Sequence, residues 1–283
     1  MRRAIGWIGR GLITVGLLIL LFVAYQLWGT GLYTRRQQSA LKHDFHKELQ
    51  ARPRPTATPA QPLVAPPEGQ VLGLIKIPKI GANFAIVEGT SRADLRKGPG
   101  HYPGTPLPGQ LGNSAIAGHR TTYLAPFNRI DELTRGDAIV IQTKAGTFHY
   151  SMTQQLIVHP TDVSVLLPTR NATITLTTCN PKYSARQRLV VKAALVKDKS
   201  DAVTPAATRN TEVKSLDNGL QGESDSKVPV WLWGLFAAAV GALWWLLFHR
   251  FKHWYVWIAG AIPFLVVLFV FYYHLERVLP NGY

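Results

Sequence analysis

Sulfur and acid are what this chain has least of. One cysteine and two methionines serve 283 residues, so no intrachain disulfide can form and no cysteine cluster can hold a metal. Asp and Glu number 16 against 31 Lys and Arg, a formal charge of +15. The acidic residues between 68 and 198 (Glu68, Glu88, Asp94, Asp131, Glu132, Asp137, Asp162, Asp198) form no ligand run, and calcium wants six or more oxygens. His43 and His46 have metal spacing but no third ligand nearby. No metal and no cofactor is therefore expected. The basic residues are scattered, with no basic helix and no RNA-binding aromatic signature, so nucleic acid is not an expected partner. An anionic membrane or envelope surface suits the charge better.

Charge is also absent from three long runs. Residues 11–28 (GLITVGLLILLFVAYQLW), with Ala4 as an alternative start, carry no charge after Arg10 and are close to the length, about 20 apolar residues, that crosses a bilayer. No small-residue cleavage pattern follows, so an uncleaved signal-anchor is expected. Residues 228–248 and 254–273 read as a membrane hairpin around a basic loop, 249–253, with a short tail at 274–283. Arg2, Arg3 and Arg10 in the 1–10 segment, together with Arg250 and Lys252, satisfy the positive-inside rule if 29–227 lies outside the cytoplasm. Arg35, Arg36 and Lys42 count against that orientation. The expectation is a multi-pass membrane protein with an extracytoplasmic middle.

Within 29–67, residues 32–50 look helical and polar, and 51–69 (ARPRPTATPAQPLVAPPEG) form a stiff proline-rich spacer. Residues 199–227 form a polar linker, mostly disordered by composition. Between them, 68–198 is one globular domain. Its strand candidates are VLGLIKIPKI, ANFAIVEG, NSAIAGH, DAIVIQT, FHYSMTQQLIVH, ATITLTTC and RLVVKAALV, each rich in β-branched residues and bounded by Gly, Pro or Asn. A short helix is expected at LAPFNRIDEL, with single turns at RADLRKG and PTDVSVL. The spacing fits a closed or nearly closed β-barrel better than a βαβ fold.

The lone thiol, Cys179, ends the apolar strand ITLTTC just before Asn180-Pro181. A strand end feeding a loop is where an exposed reactive group is usually placed; a small buried hydrophobe is the alternative. The loop NPKYSARQ is short enough for RLVVKAALV to return antiparallel, which makes Arg188 a neighbour of Cys179. A guanidinium there can stabilise a thiolate or a developing oxyanion. Arg186 is the reserve candidate. Of nine histidines, His43, His46, His249, His253 and His274 lie on the polar helix or at membrane borders, and His149 and His159 in strand-like surroundings. His101 falls in the turn-rich GPGHYPG, whereas His119 ends the apolar run AIAGH as Cys179 ends its own.

AIAGHR (115–120), TLTTC (175–179) and Arg188 in RLVV resemble, in order and spacing, the signature of the sortase family. LIKIPKIGANFAIVEGT, GPGHYPGT, LPGQLGN and LIVHPTDVSVL extend the likeness across the domain. The resemblance implies a mainly β fold, an eight-stranded sortase-type β-barrel with short helices, here flanked by transmembrane helices. It implies an extracytoplasmic cysteine transpeptidase that cuts an LPxTG or LAxTG sorting signal between Thr and Gly and joins the threonine to an amine. Cys179 would be the nucleophile, His119 the acid and base, and Arg188 the oxyanion donor. Thr177 and Thr178 would line the pocket or supply hydrogen bonds.

TCNPKYSARQRL is similar to the class E pattern of actinobacterial housekeeping sortases, and Tyr102 in GPGHYPGT matches the tyrosine such enzymes use near the substrate groove. The implied partners are surface proteins bearing C-terminal sorting signals, a peptidoglycan precursor or other amine acceptor, and membrane lipids. The terminal hairpin departs from the class E outline. Other readings are a pilin-polymerising class C enzyme, against which the absence of an Asp-Pro-aromatic lid motif in 51–69 counts, a purely hydrolytic cysteine protease, and a non-catalytic envelope-binding protein.

Overall fold

The computed structural model describes residues 2–51, 64–206, 220, 228–250 and 254–278. They divide into two units, one of residues 30–223 and one combining 1–29 with 224–281.

In the first unit, among the described residues, eight strands close a barrel in the order β1-β2-β3-β4-β7-β8-β6-β5. They are β1 (Val71–Ile77), β2 (Ala82–Glu88), β3 (Gly100–His101), β4 (Asn113–Ala117), β5 (Ala138–Thr143), β6 (Gly146–Val158), β7 (Thr173–Asn180) and β8 (Gln187–Leu195). Neighbours are antiparallel except β2 with β3 and β4 with β7. Closure leaves no unpaired edge. Period-two alternation sends Ile75, Ile77, Ile86, Ile116, Ile141, Ile174 and Leu176 into one core. On β7 the alternate residues Thr175, Thr177 and Cys179 therefore belong to the opposite face.

All seven strands expected from the sequence are present. The eighth, β3, is only two residues long and falls in the segment read as turns. Ser91 caps the expected turn at Arg92–Leu95 (α3), accepting from the Asp94 amide at 3.2 Å. Asp162 caps the other, at Val163–Leu166, accepting from the Ser164 amide at 3.0 Å. The expected helix at 124–133 shrinks to a 3-10 turn, Ile130–Glu132. Pro126 disfavours helical geometry in the residue before it, and Tyr123, Leu124 and Ala125 all take left-handed φ, 52°, 63° and 43°.

Of the flanking segments, 52–63, 207–219 and 221–227 lie outside the described residues. The helix α2 (Thr30–Gln50), read as a polar juxtamembrane segment outside the domain, has a buried face on the barrel. Leu41 and Phe45 pack with Val71, Ala85 and Val87. Full burial of a side chain such as Phe45 contributes about 1.5–3 kcal/mol. Gln38 adds both halves of its amide, donating to Ala85 O and Lys97 O at 3.0 and 2.8 Å and accepting from Ala85 N at 2.7 Å. The start of the polar linker is also attached. Thr204 donates its amide to Gly109 O at 3.1 Å and accepts from Leu111 N at 3.0 Å.

The second unit contains α1 (Arg2–Ala24), a π-helical turn (Tyr25–Gly29), α4 (Val228–Phe248) and α5 (Trp254–Val278). Gly234 and Gly241 of α4 lie against Phe271 and Phe264 of α5, so close that an added Cβ would sit 3.2 and 3.1 Å from those rings. Small residues at such spacing let apolar helices approach. Among the described residues one helix, Val228–Leu247, is long and apolar enough to cross a membrane; Gly9–Ala24 and Ala261–Glu276 are shorter apolar stretches.

Candidate active site

The site grows out of three adjacent strand ends. β4 runs parallel to β7 with Ala117 beside Thr177. The Gly118 amide then donates to Thr177 O at 3.0 Å, and Thr178 Oγ1 donates back to Gly118 O at 2.7 Å. The next residue of each chain carries a reactive group, His119 after Gly118 and Cys179 after Thr178. Glycine is required at 118 because a Cβ there would lie 2.6 Å from the Phe127 ring. The Phe127 amide in turn donates to His119 O at 3.1 Å. The histidine is thus gripped on both sides of its own peptide.

His119 is 5% exposed. Its Nδ1 meets Thr122 Oγ1 at 3.2 Å, and its ring lies over Tyr123 with centroids 4.8 Å apart. A hydroxyl at Nδ1 fixes the ring's orientation without removing its capacity to exchange a proton.

β8 returns antiparallel to β7 with Arg188 directly opposite Cys179 and Val190 opposite Thr177. Directly opposed residues of an antiparallel pair share a face. Arg188 and Cys179 therefore share a face, next to a buried cluster that includes Ala115, Ala117, Tyr102, Val165 and Leu166. Arg188 is 1% exposed. Its Nη1 donates to Ala185 O at 2.9 Å and Gln187 O at 3.2 Å, and Nε and Nη2 both donate to Leu220 O, at 3.0 and 2.7 Å. Arg186 precedes the strand, is exposed, and borders an opening with His159, Pro181 and Gln187. The two candidates are separated by register, which sets 188 against the cysteine and leaves 186 in the loop.

Tyr102 is buried, and its hydroxyl lies 3.2 Å from Thr177 Oγ1 on the cysteine's face of β7. Thr178 faces the other way, with its hydroxyl committed to Gly118 O. His101 is remote in chemistry. Its Nδ1 meets Glu88 Oε2 at 2.9 Å, and its Nε2 meets Pro106 O at 3.0 Å and Thr105 Oγ1 at 2.9 Å.

Arg120 closes the AIAGHR motif, but the sequence reading gave it no role. It is buried, with Nη1 donating to Cys179 O at 3.0 Å and to Asn180 Oδ1 at 2.8 Å, while Nη2 pairs with Asp131 at 3.1 Å. Asn128 holds its carbonyl through a 2.8 Å bond. One guanidinium thus ties the histidine loop to the end of the cysteine strand. Its position next to His119 was the available signal, but a loop arginine is usually solvated.

Cys179 is 7% exposed. Burial pushes its thiol above the usual range, and the charges of Arg188 and then Arg120 pull against that rise. Such a thiol needs a base beside it to become a nucleophile. Among the described residues no group of three or more His, Cys, Asp or Glu could hold a metal.

A family model for the Sortase domain matches residues 75–196. Sortase SrtE1 of Streptomyces coelicolor is 35% identical over 213 residues, 70% of this chain and 58% of the relative. Sortase SrtE2 of the same organism is 31% identical over 221 residues, 69% of this chain and 83% of the relative. Among solved structures, a Clostridium perfringens Sortase D5 transpeptidase is 30% identical and matches with a TM-score of 0.46 over 58% of this chain and 98% of its own. The chain spans less than two thirds of SrtE1's length and most of SrtE2's. The identity to SrtE2, matched over most of its length, establishes that the chain belongs to the sortase family.

Proposed function

We propose that this sortase is a membrane-anchored transpeptidase that cuts an LAxTG or LPxTG sorting signal between Thr and Gly and passes the acyl fragment to a cell-wall amine. The observation that carries the reading is the register that sets Cys179 opposite Arg188 on β8 and adjoins it to His119 at the exit of β4. His119 takes the thiol proton, and the Cys179 sulfur attacks the threonine carbonyl carbon. The C–N bond to glycine breaks as His119 gives that proton to the leaving amine. A thioester to Cys179 remains. An incoming amine adds to the same carbon and yields its proton to His119, and the C–S bond breaks to restore the thiol. Arg188 donates hydrogen bonds to the carbonyl oxygen while it carries negative charge, an interaction worth about 10²–10³ in rate for one oxyanion donor. Tyr102 and Thr177 border the peptide groove.

The apolar runs at 11–28, 228–248 and 254–273 would hold the enzyme in the cell membrane with its barrel outside, next to surface proteins carrying sorting signals and to peptidoglycan precursors with a free amine. The hydrophobic face between Gly234 and Phe271 supports pairing of the last two helices as a hairpin. The test is to incubate the full-length protein in detergent with LAxTG and LPxTG peptides and an amine, and to identify the products by mass. Amide-linked product rules in transfer, and hydrolysed peptide alone would mean a protease. No cleavage of either peptide would overturn the reading.

A further inference from the structure

Leu220 does not fit the polar linker it comes from. It lies 21 residues beyond Lys199 in a stretch rich in Asp, Glu, Ser and Lys, yet it is 0% exposed. Its side chain completes an apolar cluster with Leu95, Tyr102, Ala117, Val165, Leu166 and Val190. Its amide donates to Pro160 O at 2.9 Å, and its carbonyl accepts two bonds from Arg188, at 3.0 and 2.7 Å. Both backbone groups are satisfied by the barrel, and the side chain fills a pocket between elements. A bound peptide is held by the same two kinds of contact, main-chain bonds giving affinity and a side-chain pocket giving choice. Arg188 is moreover the residue opposite Cys179. A carbonyl that takes two of its donors keeps them from any other oxygen.

We propose that Leu220 is a built-in competitor that occupies the substrate groove in cis, so that a sorting peptide binds only after displacing it. The proposal rests on the peptide-cleaving reading above, and it regulates that same site. The residue is suited to occupy the groove without being consumed there. The sequence from Leu220 reads LQGES and lacks the Thr-Gly pair of a sorting signal. Tethering to the barrel gives such a segment an effective concentration on the order of mM. A ligand that binds only the uncovered fraction has its apparent affinity reduced by that fraction, while turnover of the bound complex is unaffected.

The test uses the full-length protein in detergent with Leu220→Ala, Leu220→Asp and the conservative Leu220→Met. Leu111→Ala, at an exposed barrel leucine, is the control. The expected result is a KM for an LAxTG peptide lowered by about 5-fold or more in the Ala and Asp variants, with kcat unchanged. Leu220→Met and the control should match the wild type. Alkylation of Cys179 by a small thiol reagent, with no peptide present, should accelerate in the same two variants alone. Wild-type KM and wild-type alkylation rates in both variants would overturn the proposal. If no form of the protein cleaves peptide, the transpeptidase reading fails. Alkylation then decides alone, with faster labelling in Leu220→Asp upholding the competitor and unchanged labelling removing it.

Discussion

His101 and His119 both follow a glycine, both are buried, and both sit where a short strand meets a loop, yet their neighbours differ in kind. The parallel pairing of β2 with β3 sets His101 beside Glu88, and a turn adds Pro106 O and Thr105. Every ring nitrogen there is spent within the fold. The parallel pairing of β4 with β7 brings His119 instead to the end of the cysteine strand, with a threonine hydroxyl at Nδ1. One histidine closes a buried polar cluster, and the other is oriented at the end of the cysteine strand. What separates them is the identity of the neighbouring strand, a property no local motif contains.

The sharpest way to break this contrast is to delete each ring. His119→Ala should lower kcat for transfer by about 10²–10⁴, the usual contribution of a positioned acid and base. His101→Ala should leave kcat within about 3-fold, but should lower the melting temperature, because a buried carboxylate deprived of its partner costs about 1–3 kcal/mol. Thermal unfolding followed by circular dichroism, alongside peptide-transfer kinetics, reads both.

The same logic applies to the two arginines. Arg188→Ala should cost about 10²–10³ in kcat/KM, and Arg186→Ala about 2-fold or less, since only the former faces the thiol across the ladder. Equal losses would mean that register does not select the working arginine.

Arg120 should show a smaller effect with a distinct signature. Arg120→Ala should lower kcat about 10-fold with little change in KM, as expected of a residue that positions the strand end without touching peptide. It also removes a cation that holds the thiol pKa down against burial. With that charge gone the thiol pKa rises further, so the midpoint of Cys179 alkylation against pH should move to higher pH. An unmoved midpoint would leave Arg120 a merely structural anchor. A smaller effect than that of Arg120→Ala is expected for Thr178→Val, which keeps the shape but loses the 2.7 Å bond to Gly118 O. A fall in kcat of about 2- to 10-fold, the equivalent of one net hydrogen bond, is expected.

Much of this was legible without coordinates because it is local. Strand identity follows from β-branched alternation between Gly and Pro boundaries. The pairing of Cys179 with Arg188 follows from a short loop joining two strands. His119 stood out because an apolar run ends in Gly118. What escaped was either too short or non-local. Two residues, Gly100 and His101, carry no periodicity by which a strand could be recognised. The stretch 124–133 has helix formers, but Pro126 and three left-handed residues before it override them. The buried face of α2 joins to Leu41 and Phe45 the polar Thr34 and Gln38, which bond to backbone, with Thr34 Oγ1 donating to Arg96 O at 2.8 Å and Gln38 to Ala85 O. Hydropathy does not register such contacts. Leu220 is one apolar residue in a polar stretch, and only the folded barrel gives it a pocket.

The central claim is that Cys179 becomes acylated with the help of His119 and not of His101. Intact-mass measurement after brief mixing of full-length protein with an LAxTG peptide, without amine, tests it directly. The account predicts a covalent adduct on Cys179 equal to the peptide less its glycine-containing leaving fragment, in the wild type and in His101→Ala, and its absence over the same interval in His119→Ala. An adduct forming at the wild-type rate in His119→Ala, or none in the wild type, would contradict it.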